Sequence, residues 1–527
     1  MLWIALHLPL LSLESFAATL LQRSGELPGE PSNQPTLAAP IALMDLHHIV
    51  SANPAAQALG VKAGLKRATA LALAPQITLG QADAARDAQA LTSVAHAALA
   101  FTPAVCFEPA DALQANTVLL EVQSSLRYFG GRNALLKRLR AALAPLAHAV
   151  QCASAPTPQG AALLARVDAP REGRHAADPA TLERLLDAAP VWLLGPGREH
   201  WEALQGMGLR TLSDLRRLPR SGIARRFGQG LLDELDRALG SRPDPRDWVT
   251  LPQVFQSRLE LFARADTTEQ VLHGASVLLA RLVAWASAQH AQVRRFTLHM
   301  QHEPRHRHDA KTPPDSTLEI ALAEPSCDAA HLLVLLRERL AHLQLVAPTL
   351  ELQLHCSDVS RRAPPNTELF PTQRSEREGL TRLIERLQAR LGCEQVQRLA
   401  LVEDHRPERS SVLSAAEASG VAPASSRKAG SRAAVAVAAP AVQPVWLLPE
   451  PTPLAERQSR PLLDGHPLHL LCGPERIEAG WWDAALAARD YFIAQAIDGA
   501  LVWIYRARLP LSAASEGEGW FLQGRFG

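Results

Sequence analysis

The chain opens on a run with almost no polar interruption, Met1-Leu-Trp-Ile-Ala-Leu-His-Leu-Pro-Leu-Leu-Ser-Leu-Glu14. A strand covered on both faces reads this way, whereas a half-exposed strand alternates. The run has no basic n-region, and Glu14 stands where a signal peptide would place a small-residue cleavage site, so a buried strand is expected. A second apolar run, Ile41 to Val50, follows a segment rich in Pro, Gly and Ser, and helical spacing then marks Ala84 to Leu99. A strand and turn over Thr117 to Gly131 lead into a basic amphipathic helix, Asn133 to Ala147. From Val254 the pattern resolves into two strand–helix–strand units. The first runs from Val254 to Phe262, through a helix from Thr267 to Ala288, to Val293–Met300; the second joins Thr317–Leu322 through Ala329–Leu343 to Thr349–His355. Arg374 to Leu391 reads as a charged helix, Ser410 to Pro444 as an Ala/Ser-rich linker, and order resumes at Trp446. Period-two and period-3.6 stretches in one chain predict a multidomain α+β protein.

At 527 residues the chain is long enough for several domains. Lys+Arg 54 against Asp+Glu 53 leaves a net charge of +1, which excludes a protein that coats nucleic acid by bulk charge; any such surface comes from local clustering. The six cysteines are scattered without a C-x-x-C spacing, so neither a disulfide framework, a zinc site nor a cofactor is expected. No run approaches the roughly 20 apolar residues that span a bilayer, which predicts a cytoplasmic protein with no membrane partner.

The opening strand with its Ser12-Leu-Glu14 close resembles that of Y-family DNA polymerases, and Ser51 to Val61, with Gly60 and Val61, resembles their fingers motif. Laid on Glu14, the family's Asp-x-Asp pair falls on Ala5 and His7; laid on Leu120-Glu121-Val122, its second acidic pair falls on Asn116 and Thr117. Mg²⁺ takes hard oxygen ligands, and two-metal phosphoryl transfer needs clustered carboxylates, which these positions do not supply. The Tyr and Arg that hold the incoming triphosphate are replaced by Pro54 and Gln57, and the palm Asn-Lys pair by Thr157 and Pro158. Neither Pro nor a neutral amide reproduces a guanidinium's paired bonds to phosphate. The resemblance thus implies a polymerase fold without metal, catalytic residues or nucleotide-binding residues. Glu121 and Asp45 are acids near these positions in the sequence and are not expected to replace the missing ligands; an active lesion-bypass polymerase with unconventional ligands is the alternative.

The resemblance further implies palm and fingers over 1–170 (fingers about 40–95), a helix-hairpin-helix thumb over 171–240, and a little finger over 241–360. Gly195, Gly197, Gly206 and Gly208 fall where hairpins would meet DNA phosphates, with Arg216 and Arg217 beside them. The residues alone also admit a small helical bundle with glycine turns. His302, His306 and His308, with Arg305 and Arg307, read as a loop facing solvent or DNA. Within 361–409, Asn366-Thr-Glu-Leu-Phe370 resembles a sliding-clamp peptide: Asn366, Thr367 and Glu368 precede the apolar anchors Leu369 and Phe370. The similar Arg258-Leu-Glu-Leu-Phe262 is expected inside a strand. After a flexible 410–445, the region 446–527 carries interleaved aromatics and arginines, of which Trp481, Trp482, Arg489, Tyr491, Trp503 and Tyr505 are the expected partner-binding residues, although Leu501 to Tyr505 also fits an ordinary strand. Together these features are similar to a catalytically silent, polymerase-like subunit of bacterial SOS-induced translesion synthesis. That implies primer–template DNA, the sliding clamp, a RecA-like accessory protein and an error-prone C-family polymerase as partners, at the bacterial nucleoid.

Overall fold

The computed structural model describes residues 1–20, 39–109, 116–167, 174–303, 313–361, 373–416, 443–444, 446–483, 485–508 and 519–526. The opening run forms β1 (Trp3–His7), buried at every position. Then come α1 (Leu11–Ala17), β2 (Ile41–Asp45), β3 (His48–Ala52), α2 (Pro54–Ala58), α3 (Arg67–Leu73), β4 (Thr78–Gln81) and α4 (Ala84–Leu99). The second apolar run is therefore not one strand: it folds back at Leu46, which takes the left-handed φ of 52° and is 79% exposed. β2 pairs with β3 and β4 in a small sheet.

β5 (Val105–Phe107), β6 (Thr117–Glu121), α5 (Leu126–Phe129), α6 (Arg132–Leu143), β7 (Gln151–Ala155) and α7 (Pro158–Arg166) complete the palm-like part. Its sheet runs β5-β6-β1-β7, all antiparallel. Successive side chains of a strand point to opposite faces, and β1 shows why its sequence hardly alternates. Ile4 and Leu6 pack with Val94 of α4 and with Leu135 and Leu139 of α6, while Trp3 and Ala5 pack with α7 and the helices beyond it. Those helices are α8 (Pro179–Asp187), α9 (Gly195–Glu199), α10 (Trp201–Gly206), α11 (Leu212–Arg216), α12 (Arg220–Phe227) and α13 (Gln229–Leu239). Glu14 is buried and accepts from the Ala149 N–H at 3.0 Å, so the retained glutamate is a structural tie to the segment entering β7.

The two expected strand–helix–strand units are β8 (Phe255–Ala265), α14 (Thr268–Ala288) and β9 (Gln292–His302), then β10 (Asp315–Ser326), α15 (Ala329–Ala341) and β11 (Thr349–Ser360). They form one antiparallel sheet, β10-β9-β11-β8, with both helices on one face. α14 is long and apolar enough to cross a bilayer by length and composition, but it is the core helix of this unit. The second clamp-like sequence, Arg258 to Phe262, lies within β8 as expected; Leu259 and Leu261 are core residues, whereas Phe262 is 52% exposed. His302 lies in β9, buried, with Nε2 2.7 Å from Ser316 Oγ, which corrects its placement in a loop; residues 305–308 lie outside the described residues.

α16 (Gln373–Leu391) ends the first of two compact units, Met1–Arg390; the second is Leu391–Gly527. The second holds the hairpin β12 (Gln397–Leu401) and β13 (Ser411–Ala415), and then β14 (Trp446–Arg457), β15 (Arg460–Leu463), β16 (His466–Pro467), β17 (His469–Ala479), β18 (Ala487–Gln495), β19 (Leu501–Ala507) and β20 (Gly519–Arg525). These last seven form one sheet in the order β16-β15-β14-β20-β19-β18-β17.

Candidate nucleic-acid interface and the vacated metal positions

The antiparallel register of β1 brings three of the four residues that the resemblance matched to metal ligands onto adjacent strands: Ala5 lies between Leu119 and Ala153, and His7 lies between Thr117 and Gln151. Ala5 is a fully buried methyl group in the core. His7 Nδ1 sits 3.1 Å from Thr117 Oγ1, so two of the positions that the resemblance matched to metal ligands bond to each other. Burial above all, with the Arg166 and Arg174 guanidiniums, lowers the His7 pKa to about 4, which keeps the ring neutral. Asn116 supplies a backbone carbonyl to the Leu8 N–H at 2.9 Å.

Beside this pair, Glu108 is buried and forms an ion pair with Arg166. Burial pushes its carboxyl upward, against the pull of Arg166, the Thr117 hydroxyl and Arg246. A divalent ion does not fit here: the positions offer a methyl, a neutral imidazole already bonded to a hydroxyl, and a guanidinium field in place of clustered oxygens. Among the described residues, no three His, Cys, Asp or Glu side chains come together to hold a metal. Glu121 lies at the other end of β6, opposite Trp3, and Asp45 is exposed at the β2–β3 turn.

The positions that the resemblance matched to nucleotide contacts are taken up by local structure. Pro54 begins α2, capped by Asn53, whose side chain accepts from Ala56 N–H at 2.9 Å, and the Gln57 amide donates back to the Ala52 carbonyl at 2.7 Å. Thr157 caps α7 and donates to the Ala238 carbonyl of α13 at 2.6 Å; Pro158 is buried at the first helical position. Next along, Gln159 donates to Glu234 at 2.9 Å and accepts from Arg246 at 3.0 Å. α7 is thus seated on α13 by Thr157 and Gln159, at and next to the positions that the resemblance matched to triphosphate contacts.

Of the four hairpin glycines, two have the expected setting. Gly206 closes α10 and Gly208 has φ 80°, and a Cβ added at either would meet nothing within 4 Å. α11 follows, with Thr211 and Asp214 forming a reciprocal cap. Gly195 and Gly197 differ: they lie inside α9, the Gly195 N–H is taken by Glu234 at 3.0 Å, and a Cβ at Gly197 would lie 2.2 Å from the Val191 carbonyl oxygen. Gly197 serves close packing, and the first hairpin is corrected to the start of a helix. Arg217, Arg225 and Arg226 are exposed, whereas Arg216 is bound to Glu183 and Asp187. Arg216 is thereby neutralised, whereas Arg217 is an exposed cation close in sequence to the glycine turn.

Sequence reading passed over the helix-free face of the β8–β11 sheet. Thr297, His299, Gln301, Gln353 and His355 lie on adjacent strands there, and His299, Gln301, Asp315, Glu351 and Gln353 line a groove of about 360 Å³. The period-two alternation of β9 and β11 carried that signal. In the second unit, Tyr491, Trp503 and Tyr505 are buried in one cluster, Tyr491 stacked on Trp503 at 4.2 Å between ring centroids. Arg489 is buried with them, bonded to the Tyr491 hydroxyl at 3.0 Å. These four are core residues, a correction to the expected interface; Trp481 and Trp482 are 78% and 53% exposed and remain candidates. Arg406 lies 5.6 Å over the Trp482 ring, held by Asp404 and Asp483.

The clamp-like residues Asn366 to Phe370 lie outside the described residues. Residues 16–166 match the family described as IMS, impB/mucB/samB. Protein ImuB of Caulobacter vibrioides, in each of two strains, is 28% identical over 490 residues, covering 89% of this chain and 100% of the relative. The chain is ImuB-like. Similar solved structures include the insertion ternary complex of Dbh DNA polymerase (14% identity, TM-score 0.37, 69% of this chain and 100% of that one). DinB from Sulfolobus solfataricus is another, with 15% identity and TM-score 0.36, over 68% of this chain and 99% of that one. The likeness to ImuB runs through both units, and the fold is the expected Y-family polymerase-like α+β arrangement with a β-rich C-terminal extension.

Proposed function

We propose that this ImuB-like chain is a non-catalytic polymerase homologue acting as an adaptor in SOS-induced, error-prone translesion DNA synthesis. The bond between His7 and Thr117 supports this reading most directly, because it places an imidazole and a hydroxyl, and no carboxylate, where two-metal chemistry needs clustered acidic oxygens. The neutral His7 ring and the Glu108–Arg166 pair support it too. In this role the glycine turn at Gly206 and Gly208, with Arg217, holds primer–template DNA, and Asn366 to Phe370 engages the sliding clamp. The surface around Trp481 and Trp482 meets the RecA-like accessory protein ImuA or the error-prone C-family polymerase, at the nucleoid in the cytoplasm.

The test is primer extension by the purified full chain with Mg²⁺ or Mn²⁺, with DNA and clamp binding measured on the same preparation. The adaptor reading expects no extension from protein that binds both, and loss of clamp binding in Leu369→Ala/Phe370→Ala. Extension by the unaltered protein refutes it.

A further inference from the structure

The basic amphipathic helix picked out in the sequence has no part in the role above, and its surroundings single it out. Leu135, Leu136, Leu139 and Leu143 of α6 are buried in the same cluster as Ile4 and Leu6, so α6 covers the face of the palm-like sheet opposite Ala5. Its outer face carries Lys137, Arg138 and Arg140, with Arg132 at its start and Arg127 on the adjoining α5. None of these five cations forms an ion pair among the described residues. Uncompensated charge of one sign attracts the opposite sign.

Next to these cations lies a groove of about 740 Å³ whose walls include Leu99, Phe101, Pro103, Tyr128, Phe129 and Leu251. No Asp, Glu, Lys or Arg lines it. Tyr128 is 83% exposed at its rim, and Arg138 lies 5.7 Å over the Phe129 ring, joining the apolar groove to the basic surface. Phe101 and Phe129 are packed side by side, their centroids 5.2 Å apart and half-buried, so the groove offers a slot for a side chain rather than a row of open rings for successive bases.

We propose that this surface docks an acidic peptide segment of a partner protein that carries one aromatic or leucine anchor: the anchor enters the groove and the carboxylates meet Arg127, Lys137 and Arg138. Apolar anchors in a slot supply most of the affinity of such contacts, and complementary charge sets partner choice and on-rate. The site lies across the sheet from Ala5 and the thumb-like helices, so its occupant leaves the glycine turn free for DNA.

Fluorescence anisotropy of the full chain against short labelled peptides tests it. The probes are an Asp/Glu-rich peptide with one central Phe, the same peptide with Ala for Phe, and a Lys-rich control, with oligo(dT) as competitor. Replacing Phe by Ala is expected to weaken binding by about tenfold or more, as is Arg127→Glu/Arg138→Glu. Ser124→Trp, placed at the mouth of the groove, should weaken the Phe peptide and spare the Ala peptide. All three positions are exposed, and circular dichroism checks that the fold is kept. The proposal is overturned if the two acidic peptides bind alike, if the charge reversal has no effect, if oligo(dT) binds this surface in preference to the Phe peptide, or if nothing binds at roughly millimolar peptide.

Discussion

Placing aspartates at both opening positions, Ala5→Asp/His7→Asp, is the sharpest test of the proposed non-catalytic role. At position 7 the change exchanges a neutral ring bonded to Thr117 for a carboxylate in the field of Arg166 and Arg174, which offsets part of the cost of burying it. Position 5 has no such relief: the methyl is fully buried between Leu119 and Ala153, and Arg166 is already paired with Glu108. An uncompensated buried carboxylate costs about 4 kcal/mol. The first unit spans Met1–Arg390; at about 2.1 cal/mol/K per residue its unfolding entropy is about 0.8 kcal/mol/K, so the double variant should melt about 5 °C below the parent. If the aspartates rebuilt a metal site, Mg²⁺ at a hundredfold excess over its Kd would return about 2.7 kcal/mol, or about 3 °C. Differential scanning calorimetry with and without Mg²⁺, run beside primer extension, reads both quantities. The expected result is a lowered Tm, no Mg²⁺ shift and no extension. An unchanged Tm that rises with Mg²⁺, together with extended primer, would refute the argument that the site has been closed by its own side chains.

Three further outcomes follow from the same geometry. His7 and His96 are both buried, with pKa values lowered to about 4. The unfolded chain takes up protons that the folded chain refuses, so stability is full above about pH 6.5 and falls as pH drops toward 4, by up to about 3 kcal/mol per ring; a flat calorimetric profile over that range would contradict it. Arg217→Ala should lower primer–template affinity and reduce the slope of log affinity against log salt by about 1, while Arg216→Ala, already neutralised by Glu183 and Asp187, should leave both unchanged. Equal effects in a salt titration would show that those ion pairs give way on binding. Trp503→Ala should cost the second unit about 4 kcal/mol of stability, whereas Trp481→Ala/Trp482→Ala should leave its thermal transition in place and abolish capture of the accessory protein or polymerase. Retained capture would move that interface elsewhere.

What could be read from the sequence depended on whether a residue's role was set by its neighbours along the chain. β1 was legible because a strand covered on both faces must be apolar throughout. α4 was legible to the residue because Asp83 caps it and its spacing holds for 16 residues. The strands of the β8–β11 sheet were legible because one covered face imposes period two. The turn at Leu46 was not, since nothing in Asp45-Leu-His47 announces a left-handed residue. Nor does a glycine declare which of its properties is in use: Gly208 supplies a positive φ, while Gly197 makes room for the Val191 carbonyl, and only the fold separates them. The aromatic tail was misread for a related reason. Alternation in Leu501 to Tyr505 marks a strand, but whether its aromatics meet a partner or one another depends on strands β18 and β20 on either side. The metal positions show the limit most clearly. That Ala5, His7, Asn116 and Thr117 lack carboxylates is plain in the chain; that His7 and Thr117, 110 residues apart, satisfy each other is a property of the register alone. A missing ligand leaves open whether a site is empty or rebuilt, and it is the hydrogen bond across β1 and β6, with the buried Glu108–Arg166 pair beside it, that argues for rebuilding.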